Sequence, residues 1–398
     1  MELKPEDRLI LSSIKIEPTP AEMEQLNGLI LQISDWDYLI KTITDRGIGP
    51  LLFKKLPLLS NSPLIPEEIK IKLQQVYYKT FSRSMVLYEH FRKIAEAFDS
   101  NEIQVIALKG IYLSEWLYQD IGLRQFSDID LLVKENDGKK CLAILQKMGY
   151  KPCDGSVTKF IGTKTEIIHY APMVLNAVSV EIHNKLHRST EEYDLNVDVL
   201  WKNAIPATVN NTTVFALNTN DLLIHLCIHL DKHFRGSNVQ FTCFNDITNI
   251  LNKFANKIDW DLFTEACRFY KCEDIVFKYL VLINKYINAP VPDIIILKYD
   301  FLLTEKDELL FCKYLSGYIG TFSAVPTHFG NLKQIDALSD RIRYVRDLLF
   351  PPKSFMIPKY KIRNPALVLF YYPYRYFVGL KGFVSYIKNS LRKKRQKS

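Results

Sequence analysis

Hydrophobic and polar positions along this chain follow two different periods. From the start to about residue 98, apolar residues recur at three and four spacing, as in DWDYLIKTITDRGIGPLLFKKL. That spacing predicts helices that bury one face. Gly47 and the Gly49-Pro50 pair interrupt the run. A proline-rich link, LPLLSNSPLIPEEI, follows. Pro66 with Glu67 and Glu68 then predicts a helix start, because proline suits a first turn and acids suit its dipole. That helix is expected to continue through KIKLQQVYYKTFSRSMVLYEHFRKIAEAFDS.

The period changes at about 102. EIQVIALKG is a short apolar run ending in glycine, and IYLSEWLYQD reads as a helix. RQFSDIDLLV reads as a strand, residues 137–148 as a helix closed through Gly149, and KFIGTKTEIIHYAP and NAVSVEIHNKL as two further strands. Helical spacing returns from about 189, in TNDLLIHLCIHLDKHF, FNDITNILNKFAN and DWDLFTEACRFY. The expectation is an α+β fold, with a small mixed sheet flanked by helical regions. Its parts are an N-terminal helical region (1–98), an α/β core (99–188), a C-terminal helical domain (189–350) and a tail (351–398).

The DIDLLV strand carries the first chemical signal. Residues two apart on a strand share a face, about 7 Å apart, so Asp128 and Asp130 point the same way. Ile129, Leu131, Leu132 and Val133 mark a strand bound for a core. Ionised carboxylates buried side by side repel, and burying them without a partner is costly. A divalent cation resolves that conflict, and hard oxygen ligands suit Mg²⁺. The plainer reading is a turn aspartate followed by a surface one. In VSVEIHNKL the polar face offers Glu181 beside Ser179 and His183. Pairing of that strand with DIDLLV would bring three carboxylates together; a solvated edge strand is the alternative. Upstream, Gly110 sits at a strand-to-helix turn with Lys109 before it, and a helix N-terminus is a ready anion site. Arg124 and Ser127 could contact phosphate or cap the turn.

In order, the chain runs strand, Lys-Gly, helix, R-x-x-S-D-h-D-h, and a later strand with an acid. This resembles the DNA polymerase β-like nucleotidyltransferase superfamily, whose signature is hG[GS], then Dh[DE]h, then a third carboxylate. Lys109 stands where that signature has its first glycine. LKG…R…SDIDLLV…VEIH looks more closely like a group of uncharacterised bacterial nucleotidyltransferases. DWDYLIKTITDRGIGPLLFKKL on one side, and DLLIHLCIHLDKHF, FNDITNI and LFPPKSFMIPKY on the other, extend the likeness over most of 20–360. The resemblance implies Mg²⁺ held by Asp128, Asp130 and Glu181, with Glu181 sharing a metal or accepting a proton. It implies an NTP whose triphosphate lies between Lys109, the Gly110 helix end and Ser127, with Arg124 as a further clamp. It implies transfer of NMP to a hydroxyl, with pyrophosphate leaving, and it names no acceptor. A small molecule is the leading expectation. A macromolecule (a tRNA end, or a protein hydroxyl as in toxin-type enzymes) and a non-catalytic nucleotide-binding scaffold are the alternatives.

Other residues carry weaker signals. His225, His229 and His233 share one helical face at four spacing; they read as metal ligands, as cleft-lining groups or as packed histidines. Asp246 reads as a cap or as a cleft residue. His183 reads as a support for Glu181 or as a surface group.

Composition changes the picture in one place. The 398 residues are 47% hydrophobic and 24% charged, which is ordinary for globular domains. The seven cysteines show no CxxC spacing, which argues against a disulfide framework or a Cys-based zinc site. MELKPEDRLIL lacks the apolar stretch of a signal peptide, and a cytoplasmic protein is expected. The net charge of +8 is unevenly spread: twelve Lys and Arg and no acid fall in 351–398, leaving 40 basic and 44 acidic groups elsewhere. A slightly acidic body argues against a large nucleic-acid footprint. The tail mixes aromatics with cations. It suits contact with an anionic membrane surface, base stacking, or packing onto the body with a solvated end.

Overall fold

Ile106, Ala107 and the run Ile129–Val133 are almost fully buried, because they form the centre of a seven-stranded sheet. The computed structural model describes residues 3–153, 170–187, 193–235, 241–316 and 338–351, with 353, 356, 357, 360, 362 and 364–377. The strands are β1 (Ile106–Ala107), β2 (Asp128–Leu132), β3 (Lys151–Pro152), β4 (Met173–Leu175), β5 (Val178–His183), β6 (Ile205–Val209) and β7 (Thr212–Ala216). Their order is β3-β4-β5-β2-β1-β7-β6. β2 runs parallel to β5 and antiparallel to β1, and β1 runs parallel to β7, so the sheet is mixed as expected. The β4–β5 turn uses Asn176 and Ala177 at φ 49° and 62°. The β6–β7 turn uses Asn210 and Asn211 at 47° and 59°. Two successive left-handed residues are what a two-residue hairpin of this twist requires, and asparagine, at three of these four positions, tolerates them better than most side chains.

The N-terminal helices follow the predicted breaks. They are α1 (Pro5–Ser12), α2 (Pro20–Ile30), α3 (Trp36–Asp45), α4 (Gly49–Lys55) and α5 (Glu67–Asp99). Thr19 and Glu22 form a reciprocal capping box on α2, and Asp35 caps α3. Each satisfies backbone N–H groups that a helix start leaves open. Pro66 is the residue before α5, which buries Ile69, Leu73, Tyr77, Leu87, Phe91 and Phe98 along one stripe. α5 packs against α3 and α4 on one side and against β2, β5 and β7 on the other. It is the beam that joins the N-terminal helices to the sheet.

α6 (Lys109–Trp116) leads out of β1, and α7 (Gly138–Lys147) follows β2. Beyond the sheet come α8 (Val197–Asn203), α9 (Thr219–Arg235), α10 (Thr242–Phe254), α11 (Trp260–Phe269), α12 (Glu273–Ile287), α13 (Asp293–Tyr299) and α14 (Glu305–Leu315). One continuous apolar core runs from Leu9 in α1 to Leu315 in α14.

Two features differ from the sequence reading, and a third reading falls mostly outside the described residues. The hairpin of β6 and β7 comes from a stretch read as helical: only Val209, Val214 and Ala216 of it are buried, so its alternation was weak. Most of KFIGTKTEIIHYAP lies outside the described residues; its end, Tyr170, donates its backbone N–H to the Ile182 carbonyl at 2.9 Å. In the tail, Met356, Ile362 and Val368 form a small cluster of their own, with Tyr360, Tyr371 and Tyr372, separate from the main core. Residues 378–398 lie outside the described part. Among the described residues no helix is long and apolar enough to cross a membrane.

Candidate active site

The register of β2 and β5 decides where the acids meet. Asp130 lies opposite Glu181, and Asp128 opposite Ser179. Strand alternation turns all four to one face, while Ile129, Leu131, Val180 and Ile182 fill the core on the other. The ligand atoms of Asp130, Glu181 and His183 lie within 4.8 Å of one another. Asp130 is the hub. Its Oδ1 is 2.8 Å from His183 Nε2, and its Oδ2 accepts from Lys109 Nζ at 3.2 Å. Glu181 Oε2 is 3.7 Å from the same His183 nitrogen.

The electrostatics follow from this crowding. Burial and the charge of Asp130 raise the Asp128 pKa above the ordinary carboxylate range. Burial and Asp130 raise Glu181 likewise. Burial also opposes ionisation of Asp130, but Lys109 and His183 outweigh it and hold that carboxyl far below its usual range. One acid is therefore firmly ionised and two neighbours bind protons more readily than usual.

The segment before β2 is held by packing and internal hydrogen bonds. Lys109 opens α6 at φ +45°, a left-handed conformation that favours glycine. That conformation turns its ammonium back onto Asp130. At Gly110 a Cβ would meet the Phe126 ring at 2.6 Å. The glycine thus lets Phe126 lie across the start of α6 and pins the 124–127 segment there. Arg124 is 6% exposed. Its Nε and Nη2 donate to the two oxygens of Asp246, at 2.8 and 2.7 Å, and the Tyr118 hydroxyl donates to the same carboxylate. Ser127 is exposed to the cleft, and its carbonyl accepts from Arg83 Nη2 at 2.9 Å. The same Arg83 nitrogen donates to the Ala177 carbonyl, tying α5 to the β4–β5 turn.

Asp128, Asp130, Glu181, His183, Lys109 and the 124–127 segment line one cavity of about 910 Å³. Its far wall was not marked by any sequence signal. Thr44 to Gly47 at the end of α3 contribute, as do Val76, Lys79, Thr80 and Arg83 of α5. Gly47, at φ +71°, packs against Thr242 of α10 and Gln125, which closes the wall onto the segment before β2. His187, His229 and His233 also line the cavity, and His225 sits behind them. His187 Nε2 lies 2.9 Å from His225 Nδ1. Burial pushes His187 down to about 3, and His225 and His229 well below their ordinary value, so these imidazoles are neutral. Among the described residues the only metal-type group is that of Asp130, Glu181 and His183; the α9 histidines form none.

A family model described as an uncharacterised nucleotidyltransferase matches residues 33–288. The chain belongs to this nucleotidyltransferase family. The match runs from the N-terminal helices through the sheet to α12, so it includes both walls of the cavity. The solution structure of the antibiotic-resistance factor ANT(2'')-Ia is similar at 11% identity with a TM-score of 0.34, covering 46% of this chain and 92% of that one. A comparison with curated proteins finds no match.

Nucleotidyltransferases generally use divalent metals, and the donor set here fits one. Asp128, Asp130 and Glu181 are hard oxygen donors on one face, with the mutual repulsion that a cation relieves. Lys109 and His183 satisfy part of the Asp130 charge meanwhile.

Proposed function

We propose that the enzyme transfers NMP from an NTP to a hydroxyl of a small-molecule acceptor and releases pyrophosphate. The convergence of Asp130, Glu181 and His183, with Asp128 on the same strand face, carries this reading. We assign Asp128, Asp130 and Glu181 to one or two Mg²⁺ ions. Bound there, the metal would supply charge neutralisation for the phosphoryl group in transfer. In the reaction the acceptor oxygen bonds to the α-phosphorus, the bond from that phosphorus to the bridging oxygen breaks, and pyrophosphate leaves with the electron pair. Glu181, whose proton affinity burial and Asp130 raise, takes the hydroxyl proton. Lys109 and the start of α6 are assigned to the triphosphate with Ser127. Arg124 is assigned to hold that segment through Asp246 and to offer its remaining N–H to phosphate. The work of these side chains is positioning and charge compensation.

The basic tail is assigned to peripheral contact with an anionic membrane. Leu369, Phe370, Tyr374 and Phe377 are exposed in the described part of it, upstream of the last Lys and Arg residues. Apolar area plus cations is what such contact needs.

The deciding experiment incubates the protein and Mg²⁺ with each α-labelled NTP, RNA, protein and small-molecule fractions of a cell extract. The expected outcome is a labelled small molecule that disappears with Asp128→Asn or Asp130→Asn. Labelled RNA or protein would move the acceptor to the macromolecular class, and no metal-dependent NTP binding would leave a scaffold.

A further inference from the structure

Of the three arginines that line the cavity, Arg124 and Arg46 contrast. Arg124 is what a structural guanidinium looks like in this protein: buried, with two bonds to a carboxylate that is itself fully buried. Arg46 is also buried, at 9% exposure, yet its Nε has no hydrogen-bond partner and no ion pair forms on it among the described residues. A buried, uncompensated cation is costly in a stable core. The carbonyl end of α3, where Arg46 sits, offsets only a part of that. Burial accordingly pulls its pKa downward, and the through-space attractions of Asp45 and Tyr38 do not restore it. Lys79 and Arg83, one turn apart on α5, line the same wall. The cavity is also at the large end for a small-molecule site, with room for two substrates. Its acids stand on the sheet, and its cations Arg46, Lys79 and Arg83 come from the end of α3 and from α5, none of them in an ion pair among the described residues.

Resting on the transfer reading above, we infer that Arg46, supported by Lys79 and Arg83, binds an anionic group of the acceptor, a phosphate or a carboxylate, so that the acceptor is an acidic small molecule. The triphosphate is the other source of such an anion. The acceptor is favoured because Lys109, the start of α6 and Ser127 already provide a phosphate site on the sheet side. Arg46 belongs to a different wall, built by the N-terminal helices.

The test separates the two sources. The protein is saturated with Mg²⁺ and a non-hydrolysable NTP analogue and then titrated with inorganic phosphate by calorimetry. Wild type is expected to bind phosphate on top of the nucleotide. Arg46→Gln is expected to weaken that binding by about tenfold or more, the worth of a charge-assisted contact, and to leave nucleotide affinity within about twofold. Arg46→Lys, which keeps the charge, is expected to retain most of it. Lys79→Gln, at an exposed position, is expected to weaken it by about two- to fivefold. No phosphate binding to the nucleotide-loaded wild type would overturn the inference. So would phosphate binding that is unchanged in Arg46→Gln, or a tenfold loss of nucleotide affinity there, which would give Arg46 to the triphosphate. Absence of metal-dependent nucleotide binding in the wild type would instead sink the transfer reading.

Discussion

Breaking the Arg124–Asp246 pair is predicted to be the most damaging single change near the cleft that touches no site acid. The Asp246 side chain is fully buried and that of Arg124 is 7% exposed. Asp246→Ala removes both charge-assisted bonds, strands a buried guanidinium and leaves the Tyr118 hydroxyl without its acceptor. Removing one partner of a buried pair costs about 3–5 kcal/mol, because the other charge stays behind uncompensated. A loss of about 4 kcal/mol at a urea m-value of about 3 kcal/mol/M lowers the unfolding midpoint by about 1.3 M. The double variant Arg124→Met/Asp246→Leu fills the space without charge and is expected to recover most of that loss, keeping about 1–3 kcal/mol for the Tyr118 hydroxyl that loses its acceptor. Urea unfolding followed by circular dichroism reads both effects. A midpoint shift below about 0.3 M for Asp246→Ala would mean that the pair is solvated and worth no more than a surface bridge. The double variant also divides the two roles of Arg124. Recovered stability with weakened nucleotide binding assigns it to phosphate, whereas full nucleotide affinity leaves it structural.

Other expectations follow from the same geometry. Asp128→Asn and Asp130→Asn are each expected to slow metal-dependent transfer by about 10³-fold, from several kcal/mol of lost charge stabilisation; Asp128→Asn should not lower metal-free stability, since it relieves repulsion, and unaltered turnover in both would refute the acid assignment. Lys109→Gly should be more stable than Lys109→Ala by about 1 kcal/mol, because only glycine accepts the left-handed backbone without strain; equal melting of the two would show that the backbone relaxes. Lys55 is buried against the carbonyls of Ser13 and Leu51, and burial pulls its pKa down to about 7. Below pH 7 both states hold the proton and the burial cost is complete; between 7 and about 10 the unfolded chain holds a proton that the folded chain lacks, so stability rises with pH. Lys55→Met should therefore stabilise at pH 6, by a few kcal/mol at most, and lose that advantage by pH 10; an equal effect at both pH values contradicts the buried charge. Vesicles rich in anionic lipid should retain the full chain at low salt and release it at high salt; equal retention by neutral vesicles would remove the role of the basic tail.

Much of the architecture was legible because burial leaves a periodic trace. The stripe of α5 and the breaks at Gly47 and Gly49-Pro50 could be read directly, as could the apolar run after Asp128. The pairing of Asp130 with Glu181 was legible only as a condition, since register is a long-range property. The hairpin of β6 and β7 escaped because it is an edge with little to bury. A second role of Gly110 was hidden for a physical reason: the sequence shows a missing side chain but not the Phe126 ring that fills its place. Arg46 escaped entirely. A lone arginine after a helical run reads as a surface charge, and only the packing of Gly47 on Thr242 and Gln125 turns it into the wall of a cleft.

Lys109 joins these observations into one physical picture. A side chain at this position needs a left-handed backbone, which costs about 1–2 kcal/mol. The strained position returns a cation to the most acidic point of the sheet, where it holds Asp130 ionised while Asp128 and Glu181 retain protons more readily. Under the proposed function, a divalent cation on the three carboxylates would compete with that ammonium and leave it available to the triphosphate. Glycine at 109 would remove the strain and the cation together. The departure from the glycine pattern at Lys109 would then, under the proposed function, replace a close backbone approach to phosphate with a positive charge.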